Sequence, residues 1–193
     1  MGRYYMKWYI YNVNTLDNQT FNRFFGLLTP KRKEYVLSLK KEKSRKLTVT
    51  GEMLAKNAIS ELYKISIEDI IIECDPSGKP IVKNCDAKIS ISHSGDIAVC
   101  AVDTEPIGID IEKIRDVSLK TAYRFSNSEE IYYIFDSDDT KESERRFFEI
   151  WTAKEAEYKR LDGQIKNFKE IDTRSINKDY YEYSGYLICI SHK

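Results

Sequence analysis

The sequence lacks a net charge, with 31 basic residues against 31 acidic ones, so no global field draws it toward nucleic acid or an anionic membrane. It lacks any C-x-x-C spacing among Cys74, Cys85, Cys100 and Cys189. Two of these cysteines lie inside apolar strand runs, where a free thiol packs like a small hydrophobe, and a reduced, cytoplasmic protein is expected. No apolar stretch approaches the ~18–20 residues of a membrane span. The opening MGRYYMKWYIYNV is too short and too aromatic for a secretory signal. Met6 stands where N-myristoylation needs Ser or Thr. No membrane partner and no nucleic-acid partner are expected.

What is present is charge sorted by region. Positions 31–46 hold eight Lys or Arg against two Glu, and positions 129–149 hold eight acids against three bases. A basic surface could grip an anionic ligand while an acidic one holds metal or a partner. A length of 193 residues allows one large domain or two lobes.

Met6 to Val13 reads as a first strand, and Leu16 to Leu28 as a helix burying Phe21, Phe24 and Phe25. Thr29-Pro30 has the chemistry of a helix start. From about Lys43 a helix carries Leu47, Met53, Leu54, Ala58 and Leu62, with Gly51 inside it suggesting close approach of a neighbour. Ile71 to Cys74 and Ile81-Val82 form a hairpin with Lys79 at its tip, a weak anion contact. Lys88 to Arg115 reads as a three-stranded meander. Further on, Ser126 to Glu129 fits a capping box and Asp139 caps the longest helix, running to about Leu161. Phe168 to Thr173 and Tyr180 to Ser191 suggest three more strands. The Ser-Gly turn and apolar strand after His93 reappear after Tyr183, which suggests an internal repeat.

Within Gly108-Ile-Asp-Ile-Glu112 the two acids lie two residues apart on a strand and share a face. Side by side they repel unless a cation joins them. In Trp151-Thr-Ala-Lys-Glu-Ala-Glu-Tyr-Lys159, Trp151, Glu155 and Lys159 share one helix stripe, with Lys154 beside them. A large aromatic on that stripe puts Glu155 and Lys159 at the edge of the core. Asp110, Glu112 and Glu155 then suit an open magnesium site. Lysines and His93 around it point to a phosphate-bearing ligand.

Ile91-Ser-His-Ser94, Gly108 to Glu112 and Trp151 to Lys159 together resemble the three signatures of the 4′-phosphopantetheinyl transferases of the surfactin-synthetase-activating type. The resemblance implies an α+β fold of two similar lobes, 1–103 and 104–193, related by a pseudo-two-fold with a coenzyme A cleft between them. It implies transfer of phosphopantetheine from coenzyme A to a serine of an acyl or peptidyl carrier protein, with release of 3′,5′-ADP. By the same resemblance Asp110, Glu112 and Glu155 are magnesium ligands, and Ser92 and His93 hold coenzyme A phosphates. Lys154 and Lys159 are ligand-facing helix lysines, Lys79 belongs to the hairpin against the adenine, and Arg32 and Thr48 are further phosphate contacts. A second lysine of the family pattern is replaced here by Tyr35. Glu129 and Glu155 are both candidates for the base that takes the serine proton. Carrier docking is expected over Val117 to Phe135, on Tyr123, Phe125, Tyr132 and Tyr133, and the chain is expected to act as a monomer. The alternative is a carrier-protein or coenzyme A binding module without turnover. A nucleic-acid binder using positions 31–46 is disfavoured, because that run lacks interleaved aromatics.

Overall fold

A computed structural model describes residues 6–165 and 167–193. The first five residues of the N-terminal stretch read above lie outside the described residues. The chain divides into two compact units, Met1–Pro106 and Ile107–Lys193, and its architecture is α+β.

In the first unit, β1 (Lys7–Asn12), β4 (Lys88–Ser94) and β5 (Ile97–Asp103) form an antiparallel sheet of order β1-β5-β4, while β2 (Ile72–Cys74) and β3 (Pro80–Val82) form a separate hairpin. α1 (Asn18–Gly26) is capped by Asp17 and α2 (Pro30–Ser38) by Thr29, whose hydroxyl accepts from Arg32 N. The helix α3 (Glu42–Tyr63) covers the sheet with Leu54, Ala55, Ala58 and Ile59 against Ile89, Ala98 and Cys100. A Cβ on Gly51 would stand 2.6 Å from Ile91 Cγ2, so the glycine marks the close approach expected of it.

Apart from the β2–β3 hairpin, the second unit repeats this order of elements. A strand, β6 (Gly108–Lys113), is followed by α4 (Leu119–Phe125), α5 (Ser128–Phe135) and the long α6 (Thr140–Arg160). A hairpin, β7 (Lys178–Tyr183) and β8 (Tyr186–Ser191), closes the sheet in the order β6-β8-β7. The hairpin turns differ by one residue: Gly95 opens the first with a φ of 58°, whereas Ser184 (48°) and Gly185 (79°) are both positive in the second. These are the patterns of type II′ and type I′ turns, both of which suit the twist of paired strands.

Three expectations fail in detail. The meander breaks after β5, because β6 pairs with β8, from Gly108↔Ser191 to Lys113↔Tyr186, and not with β5. Phe168 to Thr173 is not a strand. Asn167 and Asp172 each accept the N–H two residues on and wind the segment into 3₁₀ turns. The longest helix is α3, with 22 residues against 21 in α6. Among the described residues no helix is long and apolar enough to cross a membrane.

Candidate active site

In the second unit the site begins with a glycine. A Cβ on Gly108 would lie 1.8 Å from the carbonyl oxygen of Ala156 and 2.9 Å from Arg160 N. Only a residue without a side chain lets the α6 backbone rest on β6 there. Gly108, Asp110 and Glu112 share that face of the strand, so Glu155 and Lys159, beside Ala156 on α6, are brought alongside the two acids. The Lys159 ammonium donates to Asp110 Oδ1 at 2.6 Å and to the Ile109 carbonyl at 3.2 Å. Asp110 is buried, while Glu112 is partly exposed and pairs with Arg115 at 3.2 Å. The Glu155 carboxyl is pushed up to about 7, by burial first and then by the charges of Asp110 and Glu112, with Lys159 opposing. Carboxylates from strand and helix therefore feel one another.

Among the described residues no three Asp, Glu, His or Cys side chains converge, as they stand, into a finished metal cage. The donor chemistry nonetheless fits a hard divalent cation. All three groups are carboxylates, and their mutual repulsion, visible in the rise at Glu155, is what such an ion relieves.

Other predicted residues of this unit lie elsewhere. Lys154 is a correction. Its side chain has no exposure, and its ammonium bonds to Glu130 at 2.7 Å and to the carbonyls of Phe168 (2.7 Å) and Ile171 (2.9 Å). It ties α6 to α5 and to the 3₁₀ segment and does not face a ligand. Sequence reasoning missed its partner because it placed the capping box one residue early. Asn127 is the cap and Glu130, not Glu129, closes the box; the spacing Asn127-x-x-Glu130 was available as a signal. Glu129 is exposed on α5 and pairs with Arg174. Phe125 is half-buried. Its ring meets Trp151 edge-on at 4.7 Å within a cluster that includes Phe168. Tyr123, Tyr132 and Tyr133 are exposed, as is Leu119.

In the first unit a cavity of about 340 Å³ opens among α2, α3, β4 and the β2–β3 hairpin. It gathers three predicted residues, Arg32, Thr48 and His93, with Lys31, Tyr35 and Cys74, which sequence reasoning had not assigned to a ligand. Arg32 is held at the wall: Nε donates to the buried Glu52 at 2.9 Å, Nη1 donates to Cys74 Sγ at 3.3 Å, and the guanidinium stacks 5.0 Å from the Tyr35 ring. Burial pushes the Glu52 carboxyl up while Arg32 holds it back. Gly78 and Pro80 line the cavity, but Lys79 between them does not. Ser92 points away from it, because Ile91 and His93 occupy the lining face of β4 and strand side chains alternate.

Comparison with known proteins follows the same division. The model of the 4′-phosphopantetheinyl transferase superfamily matches residues 106–186, and that of the 4′-phosphopantetheinyl transferase N-terminal region matches residues 15–105. The 4′-phosphopantetheinyl transferase Sfp of Bacillus subtilis (strain 168) is 32% identical over 76% of this chain and 66% of its own length. The 4′-phosphopantetheinyl transferase psf-1 of Bacillus pumilus is 41% identical over 56% of this chain and 47% of its own. A holo-[acyl-carrier-protein] synthase of Geobacillus sp. (strain WCH70) is 38% identical over 48% of this chain and 76% of its own. The chain thus spans about half to two thirds of the first curated relatives it matches. With both units matched in order, and Gly108, Asp110, Glu112, Glu155 and Lys159 inside the matched region, the chain belongs to the 4′-phosphopantetheinyl transferase superfamily.

Proposed function

We propose that this chain transfers 4′-phosphopantetheine from coenzyme A to a serine of an acyl or peptidyl carrier protein, with magnesium held by Asp110, Glu112 and Glu155. The observation that carries the reading is the meeting of carboxylates from β6 and α6 beside the Lys159 ammonium. The cavity of the first unit, with cations and an apolar wall, suits an adenine nucleotide. The acids of the second unit, around a divalent cation, suit a diphosphate.

When bound, magnesium would supply Lewis-acid neutralisation of the diphosphate. Lys159, fixed by Asp110 and the Ile109 carbonyl, is a preoriented cation for charge growing on the transferred phosphoryl group. Glu155 stands near 7 without metal and would lose proton affinity on holding magnesium, so it is a candidate for taking the serine proton through its position beside Asp110 and Lys159. Glu129 is the weaker candidate for that proton, because its carboxylate is already engaged by Arg174 at the surface. The serine oxygen forms a bond to the β-phosphorus, the P–O–P bond breaks, and 3′,5′-ADP leaves. Exposed Leu119, Tyr123 and Tyr132 suit a carrier-docking face. Four free cysteines are in keeping with a reducing, cytoplasmic setting.

The test is incubation with coenzyme A, magnesium and an apo carrier protein, read by mass spectrometry for the phosphopantetheine increment. The increment is expected, and it is expected to vanish with EDTA and in Glu112→Ala. Coenzyme A binding with no increment would leave only the non-catalytic module.

A further inference from the structure

We propose that Lys159 couples the metal to the coenzyme: its ammonium holds the place of a cation at Asp110 until a diphosphate draws it over, so that the acids bind a divalent ion weakly alone and tightly together with coenzyme A. The inference rests on the assignment of Asp110, Glu112 and Glu155 to the metal.

Each strand acid already has a cation. Glu112 pairs with Arg115 at 3.2 Å, and Asp110 pairs with Lys159 at 2.6 Å. The two pairs differ in depth. The Arg115 side chain is 59% exposed, and a pair so open to water contributes little. Asp110 is 7% exposed and Lys159 27%, so solvent screens their attraction far less. A second acceptor, the Ile109 carbonyl at 3.2 Å, keeps the ammonium on the strand. Among the described residues the carboxylates do not close into a metal cage, which suits acids gathered around an ammonium. Lys159 also opposes the rise at Glu155, so its charge reaches the helix acid as well.

A divalent ion approaching these acids meets a positive charge held against a buried ligand, and the two cations repel. A diphosphate changes the balance by offering Lys159 an anionic acceptor. Metal and diphosphate each draw on one side of the Lys159–Asp110 pair. Each therefore eases the binding of the other, by the same factor in both directions.

The experiment follows manganese binding to the full chain by electron paramagnetic resonance at pH 8, with and without saturating coenzyme A. In the parent chain coenzyme A is expected to tighten manganese at least about tenfold, and calorimetry of coenzyme A with and without manganese should return the same factor. In Lys159→Met manganese alone should bind about tenfold tighter than in the parent, the worth of one charge-assisted hydrogen bond. The tightening by coenzyme A should shrink at least threefold. Lys159→Gln, which keeps a donor for Asp110 without the charge, carries the same expectation, and Lys159→Arg, which keeps the charge, should behave as the parent. If the uncharged variants bind manganese no tighter than the parent, if coenzyme A tightens it as much in them, or if Lys159→Arg matches Lys159→Met, the inference is overturned and the metal assignment stands. The same holds if both ligands bind the parent without helping one another. If manganese fails to bind the parent with or without coenzyme A, or binds Asp110→Asn equally well, the metal assignment falls and the inference with it.

Discussion

Replacing Gly108 by alanine separates the packing that builds the acid cluster from the acids themselves. The added Cβ would stand 1.8 Å from Ala156 O, 2.8 Å from Ala156 C and 2.9 Å from Arg160 N, all backbone of α6. No side chain can rotate away, so the helix must recede from the strand by roughly 1.5 Å to restore an ordinary contact of 3.4 Å. Overpacking of this kind costs about 1–3 kcal/mol. For a chain of this size each kcal/mol lowers Tm by roughly 2–4 °C. The larger effect falls on function, since a displacement of about 1 Å at reacting groups costs on the order of 10²-fold in rate. Lys159 would lose its 2.6 Å bond to Asp110 as α6 withdraws. Calorimetry and the carrier-modification assay, run on one preparation, separate the two effects. A Gly108→Ala protein with the parent Tm and the parent transfer rate would refute the strand–helix contact as the foundation of the site.

Other perturbations follow from the same geometry. In EDTA, Glu155 should titrate near 7 by carboxyl NMR; Asp110→Asn should lower that value and Lys159→Met should raise it. Its folded value lies above the ordinary 4.5, so the folded state binds more protons than the unfolded between those pH values. The contribution of this group to metal-free stability should therefore fall as pH rises from about 4.5 through 7, read by urea unfolding; a contribution that rises would contradict the burial of Glu155. Lys154→Met strands Glu130 in the interior and should cost about 3–5 kcal/mol in urea unfolding, with part of the loss regained by adding Glu130→Gln. Phe125→Ala, which removes half-buried contacts with Trp151 and Phe168, should destabilise the chain by about 1–3 kcal/mol. Tyr132→Ala, on an exposed side chain, should leave stability within about 0.5 kcal/mol and raise the KM for the carrier. A reversed pattern would place the docking face elsewhere.

The local elements were legible because their signals are local. Thr29-Pro30 and Asp139 announced helix starts, and Gly51 announced a close approach, on chemistry confined to a few residues. Strand partnership was not legible in that way. Nothing within Gly108 to Lys113 states that its hydrogen bonds go to Tyr186–Ser191 and not to the preceding strand, because that choice is settled by which helix packs on Gly108. The repeat of a Ser-Gly turn hinted at two like hairpins, but a slip of one residue in turn position changed the turn type. The strand acids and Lys159 meet because alternation and the i,i+4 stripe follow from backbone geometry alone. Lys154 was misread for a physical reason. A lysine on a helix is ordinarily solvated, and its burial depends on Glu130 and two loop carbonyls contributed by segments far away in sequence. Ser92 shows the converse: strand alternation already placed it opposite His93, so that both could not line one cavity.

The central claim is that Asp110, Glu112 and Glu155 act together on one divalent cation. Manganese binding followed by electron paramagnetic resonance measures this without any carrier protein or turnover. One ion per chain, weakened at least tenfold by Asp110→Asn and by Glu155→Gln while the fold persists, is the result expected. Undiminished manganese binding in both variants would contradict it.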